Sequence, residues 1–144
     1  MPGVRDLPSL AQIQALRRAT PKGAAPSRLE ERQIKRKSAA KREAEFRAAV
    51  WYRDCGRCRG CGRVVLKTIA LDPRQGHVHH IHGRGKGLRY ELRAALLLCA
   101  SPCHERVTGA VGKPRLRIVG RRTFMLNGTR LIDANYGVMF REDK

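Results

Sequence analysis

His77-Val78-His79-His80-Ile81 occupies residues 77–81, and four of the chain's five histidines lie at His77, His79, His80 and His82. Residues 76–81 read as a short strand, bounded by a turn at Asp72-Pro73 and by the basic glycine loop HGRGKG at 82–87. Successive side chains of a strand face opposite sides, so His79 and His80 can hold different jobs. Neutral imidazole serves as a metal ligand and as a base poised near pH 7. Phosphodiester hydrolysis needs both: a cation to offset charge on the scissile phosphate and leaving oxygen, and a base to take a proton from water. A histidine-rich solvent loop is the competing reading. The flanking residues weigh against it, because cysteines close the stretch on both sides and the fifth histidine, His104, directly follows Cys103.

Five cysteines are present, Cys55, Cys58, Cys61, Cys99 and Cys103. An odd number at short spacings, with no secretory signal, favours metal ligation over a disulfide framework. Cys58 and Cys61 form C-x-x-C followed by Gly62, which suits a knuckle whose backbone amides turn toward thiolate sulfur. Cys99 and Cys103 form C-x-x-x-C. Four thiolates make a closed tetrahedral Zn²⁺ site with no position left for water, hence a structural one, and the ion clamps the ends of the long insert between the pairs. Cys55 and Cys58 are also spaced as C-x-x-C, so the first pair has two candidate registers. The register with Gly62 is preferred and leaves Cys55 as a spare thiol.

Charge restricts the partner. Lys and Arg number 31 against 12 Asp and Glu, a net +19. A small domain needs a net charge of only about 2 to 8 for solubility, so the excess points to a polyanion, of which nucleic acid is the commonest. Aromatic residues are only 5% of the chain, so the core is thin and a metal staple would help it. No apolar run approaches the roughly 18 residues of a membrane span, and residues 1–20 contain no unbroken apolar stretch of signal-peptide type. The expected setting is a reducing cytoplasm with no membrane partner.

The organisation expected along the chain begins with a proline-containing tail at 1–26, in which residues 7–18 form at most a short amphipathic helix. Ser27 and Glu30 form the S-x-x-E capping-box pattern, so a basic helical arm is expected at 27–53. Phe46, Val50 and Trp51 near its end can pack, while Arg32, Lys35 and Arg36 earlier along it are expected to meet phosphates. Arg84 and Lys86 in the glycine loop are assigned the same role. Residues 64–70 read as a strand, and a helix from about Cys103 to Thr108 is closed by Gly109. Strand-like runs follow at 116–119, 123–126 and 129–132, the last two flanking Asn127-Gly128, a type I′ hairpin signal. The domains expected are therefore the tail, the arm, a core at 54–110 and a β-rich C-terminal extension at 111–144, in the α+β class.

Taken in order, Val50-Trp51-Tyr52-Arg53-Asp54, CRGCG at 58–62, HVHHI at 77–81, LLLC at 96–99 and CHERVTG at 103–109 resemble the zinc-knuckle HNH endonucleases, many of them encoded by phages and mobile elements. The resemblance covers residues 46–109. It implies a ββα-metal core, stapled by the Cys₄ zinc and flanked by the basic helix and a C-terminal β-hairpin extension. It also implies DNA endonuclease activity on double-stranded DNA in a bacterial host cell, with phage packaging or defence proteins as further partners. By position, His80 matches the general base, and His79 and His104 match ligands of a catalytic Mg²⁺ or other divalent ion separate from the structural zinc. Two positions depart from the family pattern. Ala94 stands where an Asn usually braces the loop joining the strands, and Thr108 stands where many members carry a further His. These departures favour the alternative reading, a degenerate module that binds nucleic acid without cutting.

Overall fold

A computed structural model describes residues 25–67, 71–85 and 87–143. The expected helix at 7–18 and the phosphate contact assigned to Lys86 lie outside the described residues. The chain divides into two compact units, Met1–Ala39 and Ala40–Lys144. Helix α1, Arg28–Arg53, runs through the boundary between them. It starts where the capping box was expected: the Ser27 backbone N–H donates to Glu30 Oε2 at 2.7 Å, and the Glu30 N–H donates to Ser27 Oγ at 3.3 Å. Glu30 and Glu31 lie in the first turn, where negative charge meets the positive end of the helix dipole. Residues 28–39 are exposed throughout.

In the second unit, Phe46 and Val50 of α1 are buried against the apolar cluster built around β2. The helix stops after Arg53, where Cys55 (φ 54) and Gly56 (φ 62) turn left-handed. Strands β1, Gly76–His80, and β2, Ala95–Cys99, pair antiparallel with Gly76 opposite Cys99 and His80 opposite Ala95. All five residues of β2 are buried, which its unbroken ALLLC sequence anticipates, since a strand covered on both faces needs no polar alternation. The even-numbered residues of β1 face α1. A Cβ on Gly76 would meet Trp51 at 2.7 Å, Val78 packs in the core cluster, and His80 stacks on Phe46. The odd-numbered residues carry His77 and His79 to the opposite face.

After β2 a tight turn, Ala100–His104, leads into the one-turn helix α2, Glu105–Thr108, which Gly109 closes in a left-handed conformation (φ 79, ψ 43). The remainder forms two further two-stranded antiparallel sheets. β3, Leu116–Gly120, pairs with β6, Val138–Glu142, and β4, Thr123–Leu126, pairs with β5, Thr129–Ile132. The β4–β5 turn has positive φ at both Asn127 (48) and Gly128 (76), as a type I′ hairpin requires. Two expectations need correction. Of the strand expected at 64–70, residues 64–67 form only isolated bridges, from Val64 to Arg57 and from Leu66 to Gln75, and residues 68–70 lie outside the described residues. The extension is also more than a hairpin, because β6 was not anticipated and zips onto β3.

One buried acid ties these pieces together. The Asp54 carboxylate accepts from Arg53 Nε (2.8 Å) and Nη2 (2.9 Å), from Arg59 Nη1 (2.8 Å) and from the Leu97 backbone N–H (2.8 Å). Arg53 also reaches the carbonyls of Leu92 and Ala95, and Arg59 reaches those of Ala134 and Tyr136. The end of α1, the cysteine knuckle, β2 and the chain before β6 therefore meet at one carboxylate. Burial by itself would raise the Asp54 pKa, but the Arg53 bond and charge, the Leu97 amide and Arg59 outweigh it and hold the carboxyl below its ordinary value. Among the described residues no helix is long and apolar enough to cross a membrane.

Candidate functional site

Two side-chain clusters share the turn after β2. The first contains Cys58 and Cys61 from the knuckle, Cys99 from the end of β2 and Cys103 from the turn. Their four sulfurs all lie within 4.8 Å of one another. Cys55 is not part of this group, so the preferred register of the first pair is the one observed; Cys55 is exposed, its sulfur 3.9 Å from the Arg53 carbonyl. The knuckle is shaped by its own backbone. Cys58 N–H donates to the Arg63 carbonyl and Gly62 N–H to the Cys58 carbonyl, each at 2.8 Å, with Gly62 at φ 76. Arg59 N–H donates to the Leu97 carbonyl at 2.8 Å and fixes the knuckle onto β2.

The donor set fits a tetrahedral soft-ligand ion. With Zn–S near 2.3 Å, tetrahedral geometry puts sulfurs about 3.8 Å apart; Cys61 Sγ and Cys99 Sγ are separated by 3.8 Å. Burial pushes the Cys99 thiol up to about 11 and the Cys103 thiol up as well, with the nearby Cys58 adding to both. Cys61 moves the other way, because hydrogen bonds from the Arg63 backbone and the neighbouring thiols outweigh its burial. Four sulfurs at this density cannot all be thiolates without a cation among them, and a divalent ion is what removes the conflict. The cluster can therefore hold a structural metal such as zinc.

The second cluster is made of imidazoles. His104, at the end of the turn, lies against both odd-numbered histidines of β1, with ring centroids 4.7 Å from His77 and 5.6 Å from His79. Burial, with the His104 and His80 rings close by, pushes the His79 imidazole down to about 4. His104 is also lowered, by burial first and then by His77, against an opposing pull from Glu105. Both rings are thus neutral at pH 7, with a lone pair free to ligate. Among the described residues only the four sulfurs form a ready-made ligand group, so the imidazoles need side-chain rotation to converge on an ion.

His80 faces away from this cluster. Its ring stacks on Phe46 at 5.4 Å and its Nε2 lies 2.9 Å from the Arg89 carbonyl oxygen. A carbonyl only accepts, so that nitrogen carries the proton and Nδ1 keeps the lone pair. His82 has a structural partner, accepting the Ile132 backbone N–H at 2.8 Å. Next to these side chains lies a cleft of about 710 Å³ whose lining includes His79, His80, Thr108, Arg115 and Arg117. The Thr108 hydroxyl is turned back onto the helix, donating to the His104 carbonyl at 2.8 Å.

The structure therefore brings His79, His104 and the four cysteines into two adjacent clusters and sets His80 on the neighbouring face. Arg32, Lys35 and Arg36 are exposed on α1, and Arg84 is exposed in the glycine loop. Sequence reasoning gave no role to His77, Arg115 or Arg117. His77 was detectable, since its i,i+2 spacing to His79 puts both on one strand face. The arginines were not, because only tertiary packing brings β3 to the cleft. Comparison of the chain with protein-family models, curated proteins and solved structures found no match.

Proposed function

We propose that the chain is a divalent-metal-dependent DNA endonuclease of the HNH type, with a ββα-metal core formed by β1, β2 and α2. One observation carries the reading: the adjacent β1 residues His79 and His80 present imidazoles on opposite faces, as a ligand and a base would need. His80 is held by a carbonyl with one nitrogen free, and His79 meets His104. The residues fit the roles the chemistry needs. His79 and His104 would hold the catalytic ion, which when bound offsets charge on the scissile phosphate and the leaving oxygen. His80 takes the proton from the attacking water through Nδ1, and its bond to Arg89 stabilises the imidazolium that results. Arg115 and Arg117 offer guanidinium donors to a phosphate in the cleft. Arg32, Lys35, Arg36 and Arg84 supply contacts to the DNA backbone, which give affinity without sequence reading.

The brace expected from an Asn at position 94 has a substitute. Ala94 is fully buried, and its carbonyl accepts the Ile81 N–H at 2.9 Å. Arg53 grips the carbonyls on either side of it, at Leu92 (2.6 Å) and Ala95 (2.7 Å). The loop that positions His80 is thus held without the Asn. The alternative, a module that binds nucleic acid without cutting, draws its support from Thr108, whose hydroxyl is committed to the helix backbone. Incubation of supercoiled plasmid with the protein and a series of divalent ions separates the two. Conversion to relaxed or linear DNA is expected, and binding without conversion under every ion would leave the non-catalytic reading.

A further inference from the structure

We propose that His77 is a ligand of the histidine cluster's ion, so that His77, His79 and His104 form a three-imidazole site that selects a divalent transition ion of the Co²⁺, Ni²⁺ or Zn²⁺ class over Mg²⁺. This rests on the reading of His79 and His104 as ligands and extends it. The resemblance assigns the third protein ligand to position 108, but Thr108 has its hydroxyl turned onto the His104 and Glu105 carbonyls. The nearby acids are also engaged. Glu105 accepts from Ser101 Oγ at 2.8 Å and from Lys113, and Asp143 pairs with Arg115 at 4.0 Å. His77 is the imidazole nearest His104, nearer than His79, and strand alternation aims it from the same face.

The spacing suits one shared ion. With metal–nitrogen bonds of about 2.0–2.1 Å, two imidazoles at tetrahedral or octahedral angles put their ring centroids roughly 4.5–5.3 Å apart. The observed 4.7 Å falls inside that range and 5.6 Å lies just above it, so modest ring rotation closes the set. Three protein ligands with a position left open is the pattern of a catalytic rather than a structural site. Three neutral nitrogen donors are a poor match for Mg²⁺, which prefers oxygen and keeps its waters, and a good match for the ions imidazole favours.

The test uses the full chain with its cysteine site loaded with zinc. Co²⁺ is titrated by calorimetry, and metal content is measured after desalting. Cobalt at imidazoles lacks the thiolate charge-transfer absorption of cobalt at cysteines, so the two sites are told apart. Wild type is expected to take one zinc and one cobalt per chain, with excess Mg²⁺ failing to displace the cobalt. His77→Ala should weaken cobalt binding by at least about tenfold, the lower end of what losing even an outer partner of a ligand costs, while retaining its zinc. In the unaltered protein, the His77 imidazole proton signals should move at the same Zn²⁺ ratio as those of His79 and His104, a readout that needs no variant. Unchanged cobalt affinity in His77→Ala, or His77 signals that stay still, overturns the proposal and leaves the two-histidine site standing. Displacement of the cobalt by Mg²⁺ overturns the selectivity. Absence of any second ion in wild type overturns the site altogether.

Discussion

Replacing Asp54 with alanine removes one carboxylate that accepts from four donors. The Leu97 amide loses its acceptor in a fully buried strand, and a buried donor left unpaired costs about 1–3 kcal/mol. The Arg53 and Arg59 side chains are about a fifth exposed and keep their carbonyl partners, so each loses only part of a charge-assisted bond worth about 1.5–3 kcal/mol. The sum is about 3 kcal/mol, at the lower edge of the roughly 3–5 kcal/mol seen when one member of a buried ion pair is deleted. For a domain of about 100 residues that lowers Tm by roughly 12–24 °C. Asp54→Asn keeps an oxygen for Leu97 and should lose about half as much. The sign of the pH effect follows from the depressed carboxyl. The stabilisation is present above the unfolded-state value of about 3.9 and is lost as pH falls through the lower folded-state value. Below about pH 4 wild type should therefore converge toward Asp54→Asn. Urea titrations followed by fluorescence of Trp51, the chain's one tryptophan, with zinc saturating, measure both effects. An Asp54→Ala protein within about 0.5 kcal/mol of wild type, the ordinary scatter of surface substitutions, would refute the reasoning.

Gly60→Ala places a Cβ 2.8 Å from the Cys103 sulfur while all four ligand residues stay in the chain. It should weaken zinc retention against a competing chelator while leaving the ligand count unchanged. Prolonged chelation of wild type should unfold the second unit, seen as loss of far-ultraviolet circular dichroism with release of one zinc per chain, since metal and fold are coupled. The double variant Arg115→Ala, Arg117→Ala should reduce the slope of log binding constant against log salt for duplex DNA by about 2, roughly 0.9 for each phosphate no longer neutralised. An unchanged slope would remove these residues from the DNA interface.

What could be read in advance followed from local chemistry. The capping box at Ser27 and Glu30, the left-handed pair at Asn127 and Gly128, the closing Gly109 and the buried run ALLLC each carry their meaning within a few residues. The four cysteines were legible because knuckle spacing constrains which thiols can share an ion. What could not be read depends on contacts distant in the chain. Asp54 looks like an ordinary acid at a helix end until Arg59 and the Leu97 amide close around it. The alternation of Val138 and Phe140 in β6 gains meaning only from β3. Residues 64–67 look like a strand from their β-branched run, yet they make only single bridges, to Arg57 and to Gln75. Ala94 offers no side-chain hydrogen bond in the sequence, and the bond from Arg53 to the neighbouring Ala95 carbonyl spans 42 residues.

The central claim is that His80 is the base of a metal-dependent cut. Its most direct test compares wild type with His80→Ala on supercoiled plasmid under the divalent ion that supports cleavage best, with DNA affinity and zinc content measured on the same preparations. Removal of a general base should slow cleavage by about 10²- to 10⁴-fold while zinc content and DNA binding stay at wild-type values. Cleavage by His80→Ala at the wild-type rate would contradict the account.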